Sequence, residues 1–433
     1  VRRQVLIITE DPVGETLGGA AIRAYETARA LTRVADVVLA APGTQPPGLA
    51  PARHEPYELG DPRPLRDLIR AADVVISRPA SPLVASWLRG SSARIVYDLY
   101  DPLALDFLEA QVSAPRIQQL VWNTVALDHF LGALHTGHHF ICGGDRQRDL
   151  YLGAMLGSRL ISPAAYSRDP SFRSFIDTVP FGIPDERPER VPGAGPRARF
   201  PQLGDDAEIV LWNGGIWNWL DPVTAVRAVV AAAEKRPNVR LVFMRAALTE
   251  GPEARVARAA HELAAQLGVL DRLVFFNDDV VSYAERASWL LDADCMISTH
   301  LDHLEAHFSF RTRLLDSFWV GTPAAATSGD ELSELIERRD LGVTFPPSDV
   351  EAAAAGIVRV LERGRSEYAD RLAATGAELT WSRAVAALEG FVTATGTPVA
   401  LGDPLARRVS SPLHSARATG IRLARSLGLA RRG

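Results

Sequence analysis

Short apolar runs recur along this chain, and stretches whose apolar residues repeat at helical spacing separate them. Val5–Ile8, Val37–Ala41, Val74–Ser77 and Ile95–Leu99 read as strands, with helices opening at Gly18–Gly19 and covering Leu65–Ala71. Helical patterns follow over much of Leu103–Leu134 and over Tyr151–Leu156, around an apolar run at Phe140–Ile141. The alternation then restarts. Strands at Ile209–Trp212, Val239–Met244 and Leu273–Phe276 interleave with helices over Asp221–Lys235, Pro252–Leu267 and Tyr283–Leu291. Late helices cover Val350–Glu362 and Ser382–Val392. Such alternation predicts an α/β fold, because parallel strands need crossovers and the crossover helices cover both sheet faces. Pro184–Pro201 breaks the pattern with proline, glycine and charge, and reads as a linker between two domains.

The length of 433 residues suits two domains, at roughly 150 residues each. A net charge of −5 gives no global footprint for nucleic acid. Only Cys142 and Cys295 are present, which excludes a disulfide framework and favours a reducing, cytoplasmic setting. Residues 1–10 read as a strand without a signal-peptide core, and no apolar run reaches the ~18 residues of a membrane span. Residues 404–433 carry seven arginines and no acid, with Ile421, Leu423, Leu427 and Leu429 between them. That tail reads either as a solvated end or as a basic amphipathic helix making peripheral contact with an inner membrane face.

The richest chemistry lies in Asp292–Asp330. Cys295–Ser298 reads as a strand, followed by a loop with Asp302, Glu305, His300, His303 and His307. A helical pattern from Arg311 to Trp319 stops at Gly321–Thr322–Pro323, and Ala324–Thr327 forms the next strand. Acids and arginines therefore gather at the C-terminal edge of a parallel sheet, where ligands bind in open α/β folds. The histidines and acids suit zinc by type, but their spacing favours sugar hydrogen bonding or loop structure, and no metal is assigned.

This segment resembles the donor-binding segment of the family-4 retaining glycosyltransferases. The resemblance implies the GT-B fold: two Rossmann-like, doubly wound domains facing each other across a cleft. It sets an acceptor-side domain over 1–184, a linker over 185–201 and a nucleotide-sugar domain over 202–377. A helix over 378–397 then crosses back to the first domain, ahead of a basic tail over 398–433. The implied function is transfer of a hexose-type sugar from a nucleotide-diphosphate sugar to an acceptor hydroxyl, with retained configuration. The nucleotide sugar is a co-substrate, and no further cofactor is expected. The acceptor is a small molecule, a lipid-linked intermediate or a glycan. Two other readings stay open: a sugar-nucleotide epimerase of the same fold, and a non-catalytic partner subunit.

The family's acidic motif has two glutamates. Asp316 fills the second, ribose-binding slot, and Glu305 is the nearest acid for the first, sugar-binding one; the position eight residues before Asp316 is Phe308. Gly18–Gly19 and Arg23 correspond to the glycine-rich loop that faces the donor diphosphate, and Gly214–Gly215 to the equivalent turn of the second half. The family usually follows this second turn with an Arg and a Lys. Here Ile216–Trp217–Asn218–Trp219 follows, leaving Arg311, Arg313 and Arg245 to neutralise the diphosphate. The three tryptophans from Trp212 to Trp219 read equally as core packing or as a stacking wall. Phe276 and Val281 are assigned to the wall behind the base. On the acceptor side Asp98, Tyr100 and Asp101 end a strand, and Asp101 can assist deprotonation of a hydroxyl. The catalytic set is thus Glu305, Arg311 and Asp101.

Overall fold

A computed structural model of the chain describes residues 2–246 and 254–395. It divides into two compact units, one running to Pro180 and resuming at Ala384, the other Phe181–Arg383. The basic tail lies outside the described residues. Among the described residues no helix is long and apolar enough to cross a membrane.

The first unit is built on seven strands: β1 (Arg3–Ile8), β2 (Ala35–Ala41), β3 (Arg53–Pro56), β4 (Val74–Ser77), β5 (Arg94–Asp98), β6 (His139–Cys142) and β7 (Ile176–Thr178). They stand in the order β3-β2-β1-β4-β5-β6-β7, and every pairing is parallel. The central strands are apolar on both faces because helices cover both. Val5, Val74, Val75 and Val96 are all buried. The late helix Ala386–Thr393 belongs to this unit. It buries Leu388 and Val392, pairs Glu389 with Arg33 at 2.6 Å, and sets Phe391 under the Arg94 guanidinium.

The second unit has six parallel strands: β8 (Glu208–Trp212), β9 (Val239–Phe243), β10 (Val274–Phe276), β11 (Cys295–Ser298), β12 (Ala324–Thr327) and β13 (Gly342–Phe345). Their order is β10-β9-β8-β11-β12-β13. Trp212, Phe243 and Phe276 form an aromatic spine across β8, β9 and β10. The helices Pro222–Ala232 and Val350–Arg363 supply most of the aliphatic packing on one face.

Three strands lacked a sequence signal, β3, β7 and β13, and all three sit at sheet edges. The helix expected from Arg311 to Trp319 is a 3-10 turn, Thr312–Leu314, leading into a short α-helix, Leu315–Val320. Residues 185–201, read as a linker, are packed into the second unit. Arg190 pairs with Asp292, Val191 N donates to Ser288 Oγ at 2.8 Å, and Trp319 Nε1 donates to Glu186 O at 2.9 Å. A helical turn at Pro196–Arg199 then leads to Phe200, whose ring meets Phe275 at 5.4 Å.

Gly342 makes the β12–β13 pairing depend on a missing side chain. A Cβ there would lie 2.0 Å from Ala324 O on the neighbouring strand. Gly342→Ala is expected to cost about 2–3 kcal/mol by overpacking, read as a lowered urea midpoint. An unchanged midpoint would show that the strand edge can yield.

Candidate active site

Strand order reverses direction between β8 and β11, and the loops leaving these two strands meet. Such a switch point leaves a crevice at the C-terminal sheet edge. The loop Asn213–Leu220 leaves β8, and Thr299–His303 leaves β11. They are joined at several points. Leu220 bridges His300, Asp221 N donates to Thr299 O at 3.0 Å, and His303 Nε2 donates to Trp219 O at 3.0 Å. Arg313 Nη2 donates to Gly215 O at 2.9 Å, and Asn213 Nδ2 donates to Arg313 O at 2.8 Å. Gly214 has φ +93°, a conformation that only glycine adopts without strain, so this turn depends on it.

His303 also accepts from Ala306 N at 3.1 Å through Nδ1, which caps the short helix Leu304–Phe308. The proton therefore sits on Nε2, where it reaches the Trp219 carbonyl. This cap orients Glu305 in the first helical turn. Glu305 is 2% exposed and accepts from Arg311 Nη2 at 2.7 Å; Arg311 is 5% exposed. Among the described residues, the Arg311 Nε and the Arg313 Nη1 are buried without a hydrogen-bond partner. Burial, and next the Arg311 charge, pull the Arg313 guanidinium down to about 9. The Arg313 guanidinium also lies over the Trp212 ring at 5.0 Å. Two cations thus share a desolvated corner, with Glu305 bonded to Arg311 and the Asp316 charge acting on Arg313. An anion bound there would meet donors already in place.

Asp316 stands on the same wall, with Oδ1 3.2 Å from Arg286 and Oδ2 accepting from Asn213 Nδ2 at 2.9 Å. Arg286 is itself stacked on Tyr283 and Trp319, at 4.8 and 5.0 Å. Asn213 and Arg286 were not identified from the sequence, because their partner lies 103 and 30 residues away respectively. The three histidines do not converge. His300 is buried with Nε2 3.5 Å from Asp330, His303 caps its helix, and His307 is exposed. Among the described residues no group of three or more His, Cys, Asp or Glu is arranged to hold a metal.

Two residues assigned to the base wall differ in placement. Phe276 is a core residue, stacked on Phe243 at 4.5 Å with an interplanar angle of 4°. The strand pairing that brings Phe276 beside Phe243 uses its ring for packing. Val281 is half-buried in the loop beyond. Arg245 is exposed just past β9.

The first unit has its own switch point, between β1 and β4. A pocket there is lined by Thr9, Ala20, Arg23, Ser77, Arg78 and Asp98, among others. Gly18 and Gly19 are exposed at the start of the helix Gly19–Leu31, with open space where a Cβ would project. Arg23 is not free to reach out. Its Nε and Nη2 donate to the two Asp98 oxygens at 2.6 and 2.9 Å, Nη2 also reaches Val179 O, and Tyr100 lies under the guanidinium. Asp98 is correspondingly held by Arg23. Asp101 pairs with Arg78 at 2.9 Å, and Arg78 also reaches Asp11 and lies over Tyr100. Burial raises the Asp101 carboxyl to about 6 against the pull of Arg78. Burial and Asp101 likewise raise the Tyr100 hydroxyl. Arg78 had no signal in the sequence beyond its place after a strand.

Residues 207–363 match the family of glycosyl transferases group 1. No curated protein sequence matches the chain. Among solved structures, WaaG, a glycosyltransferase involved in lipopolysaccharide biosynthesis, superposes with a TM-score of 0.64 at 15% identity, over 90% of this chain and 100% of its own. Anabaena Alr3699/HepE, in complex with UDP and glucose, gives 0.59 at 15% identity, over 90% and 98%. Sucrose-phosphate synthase from Thermosynechococcus elongatus gives 0.56 at 18% identity, over 97% and 100%. At such identities the likeness shows the fold, which is GT-B. The chain has the GT-B fold, and the stretch of it that matches glycosyl transferases group 1 lies within its second unit.

Glu305 and Arg311 are expected to behave as one unit in stability. Glu305→Gln leaves a buried guanidinium without its counter-charge and should cost about 3–5 kcal/mol. Glu305→Gln with Arg311→Met should cost clearly less than the first change alone. Urea unfolding of both variants and of Arg311→Met completes the cycle, and simple additivity would refute the coupling.

Proposed function

We propose that the protein transfers a hexose-type sugar from a nucleotide-diphosphate sugar to an acceptor hydroxyl, with retention of configuration. The observation that carries this reading is the buried pair Arg311 and Arg313, each with an unpartnered N–H, inside the segment that matches glycosyl transferases group 1. In this proposal the two guanidinium groups receive the diphosphate. They stand in for the Arg and Lys absent after Gly215. Glu305 binds sugar hydroxyls with the oxygen that Arg311 leaves open, and Asp316 binds the ribose beside Arg286 and Asn213. As the glycosidic bond breaks, negative charge grows on the leaving diphosphate, and donors already oriented and desolvated stabilise it. No carboxylate is assigned as a covalent nucleophile. The acceptor hydroxyl attacks from the face that the diphosphate leaves, its proton passes to Asp101, and the diphosphate departs as an anion held by the two arginines. On the acceptor side, Asp101 orients the hydroxyl and assists loss of the proton. UDP is the first nucleotide to try, because HepE, which has a similar fold, has been seen with it.

Arg311→Lys keeps the charge but not the planar fork. It is expected to lower kcat/KM by about 2–4 kcal/mol of transition-state stabilisation, measured with whichever nucleotide sugar binds the parent. Turnover equal to the parent would reject the role. A nucleotide sugar consumed without any acceptor, with an epimer released, would replace transfer by epimerisation.

Asp101 can act as a base only when ionised. With its carboxyl raised to about 6, kcat/KM should rise with pH through that value and fall below it. The raised value means that the fold favours the protonated form. Its stabilising contribution is full below the ordinary value of 3.8 and is lost as pH rises through about 6. Asp101→Asn should abolish the acid limb and slow turnover. An unchanged limb in that variant would assign it to another group.

A further inference from the structure

The loop between Gly214 and Leu220 carries one tryptophan that the proposed chemistry leaves unused. Trp217 is 50% exposed, whereas Trp212 is fully buried and Trp219 packs against the core. The exposed indole is held in place. Its ring lies parallel to Trp219, with centroids 5.6 Å apart and an interplanar angle of 9°. A Cβ on Gly215 would sit 3.5 Å from the same ring, so the indole also rests over that glycine. The backbone beneath is fixed at three points. Gly215 O accepts from Arg313, Trp219 O accepts from His303, and Leu220 N donates to Trp217 O at 3.0 Å. An exposed aromatic on a mobile loop would lose entropy on binding; this one has already lost it.

We propose that Trp217 is a stacking platform for the apolar C–H face of a pyranose ring. A pyranose presents hydrogens on one face and hydroxyls around its rim. A π face suits the first and a buried carboxylate with its cations suits the second. Both are present here: His303 holds the Trp219 carbonyl and caps the helix that carries Glu305, so platform and carboxylate share one support. The proposal deepens the transferase reading and rests on it for the identity of the ligand. The ring can belong to the donor or to the acceptor.

The test uses the full chain with Trp217→Ala and Trp217→Phe. One arm measures UDP and UDP-glucose by calorimetry. The other measures methyl glucopyranoside and methyl mannopyranoside by saturation-transfer NMR in the presence of UDP. Trp217→Ala should weaken a sugar-bearing ligand roughly tenfold, leave UDP unchanged, and be largely rescued by Trp217→Phe. An effect on UDP-glucose assigns the donor sugar, and an effect on the methyl glycosides assigns the acceptor. Equal binding of every sugar ligand by Trp217→Ala and parent overturns the platform. So does a matching loss of UDP itself, which would make the indole a base-stacking group. A parent that binds no pyranose in either arm also overturns it. If the parent binds glycosides through Trp217 but no nucleotide, the transferase reading fails and the platform stands.

Discussion

A guanidinium group keeps its proton at neutral pH even when buried, so a buried arginine must be met by something. In the second unit Arg311 is met by Glu305, and the rest of the sheet edge is organised around that requirement. The carboxylate stands in the first turn of the helix that His303 caps. His303 in turn locks the loop leaving β8. Arg313 has no hydrogen-bonded carboxylate among the described residues; it uses the Gly215 carbonyl and the Trp212 ring and feels the Asp316 charge. The corner carries more positive charge than the protein itself neutralises. Desolvation makes that imbalance costly, and a bound anion would relieve it.

The first unit resolves the same problem differently. There Arg23 and Arg78 are each opposed by carboxylates, Asp98 for one and Asp101 with Asp11 for the other. Tyr100 lies against both cations. Charge is closely balanced, and hydrogen bonds use up most of the donors. Arg23 Nη1 is nevertheless buried without a hydrogen-bond partner among the described residues, at the wall of the pocket. The two units share a sheet topology while their switch points differ in electrostatic character.

Much of this was legible in the sequence, for definable reasons. Central parallel strands are buried on both faces and therefore read as unbroken apolar runs. The edge strands β3, with sequence RHEP, and β7, with IDT, do not. Glu305 and Arg311 were visible because both lie in one short segment. Arg23 was assigned to a ligand because its partner, Asp98, is 75 residues away and nothing local announces it. Separations of 103 and 30 residues likewise hid Asn213 and Arg286 as neighbours of Asp316. Phe276 was assigned to a wall because a strand-end aromatic looks alike whether it faces a ligand or, as here, the ring of Phe243. Composition marked residues 185–201 as a linker. A proline-rich segment can still be fastened by its backbone, as Val191 and Glu186 show.

The second unit is one uninterrupted stretch, Phe181–Arg383, while the first is in two pieces. During synthesis the chain emerges from its N-terminus, and domains tend to fold as units while it does so. The seven-stranded sheet can assemble early, but its last helix, with Leu388, Val392 and the Glu389–Arg33 pair, does not exist until the whole second unit has been made. The insertion therefore completes its fold before its host. The surface that awaits Leu388 and Val392 stays uncovered for the time needed to translate some two hundred residues. That interval exposes the first unit to aggregation or to a chaperone.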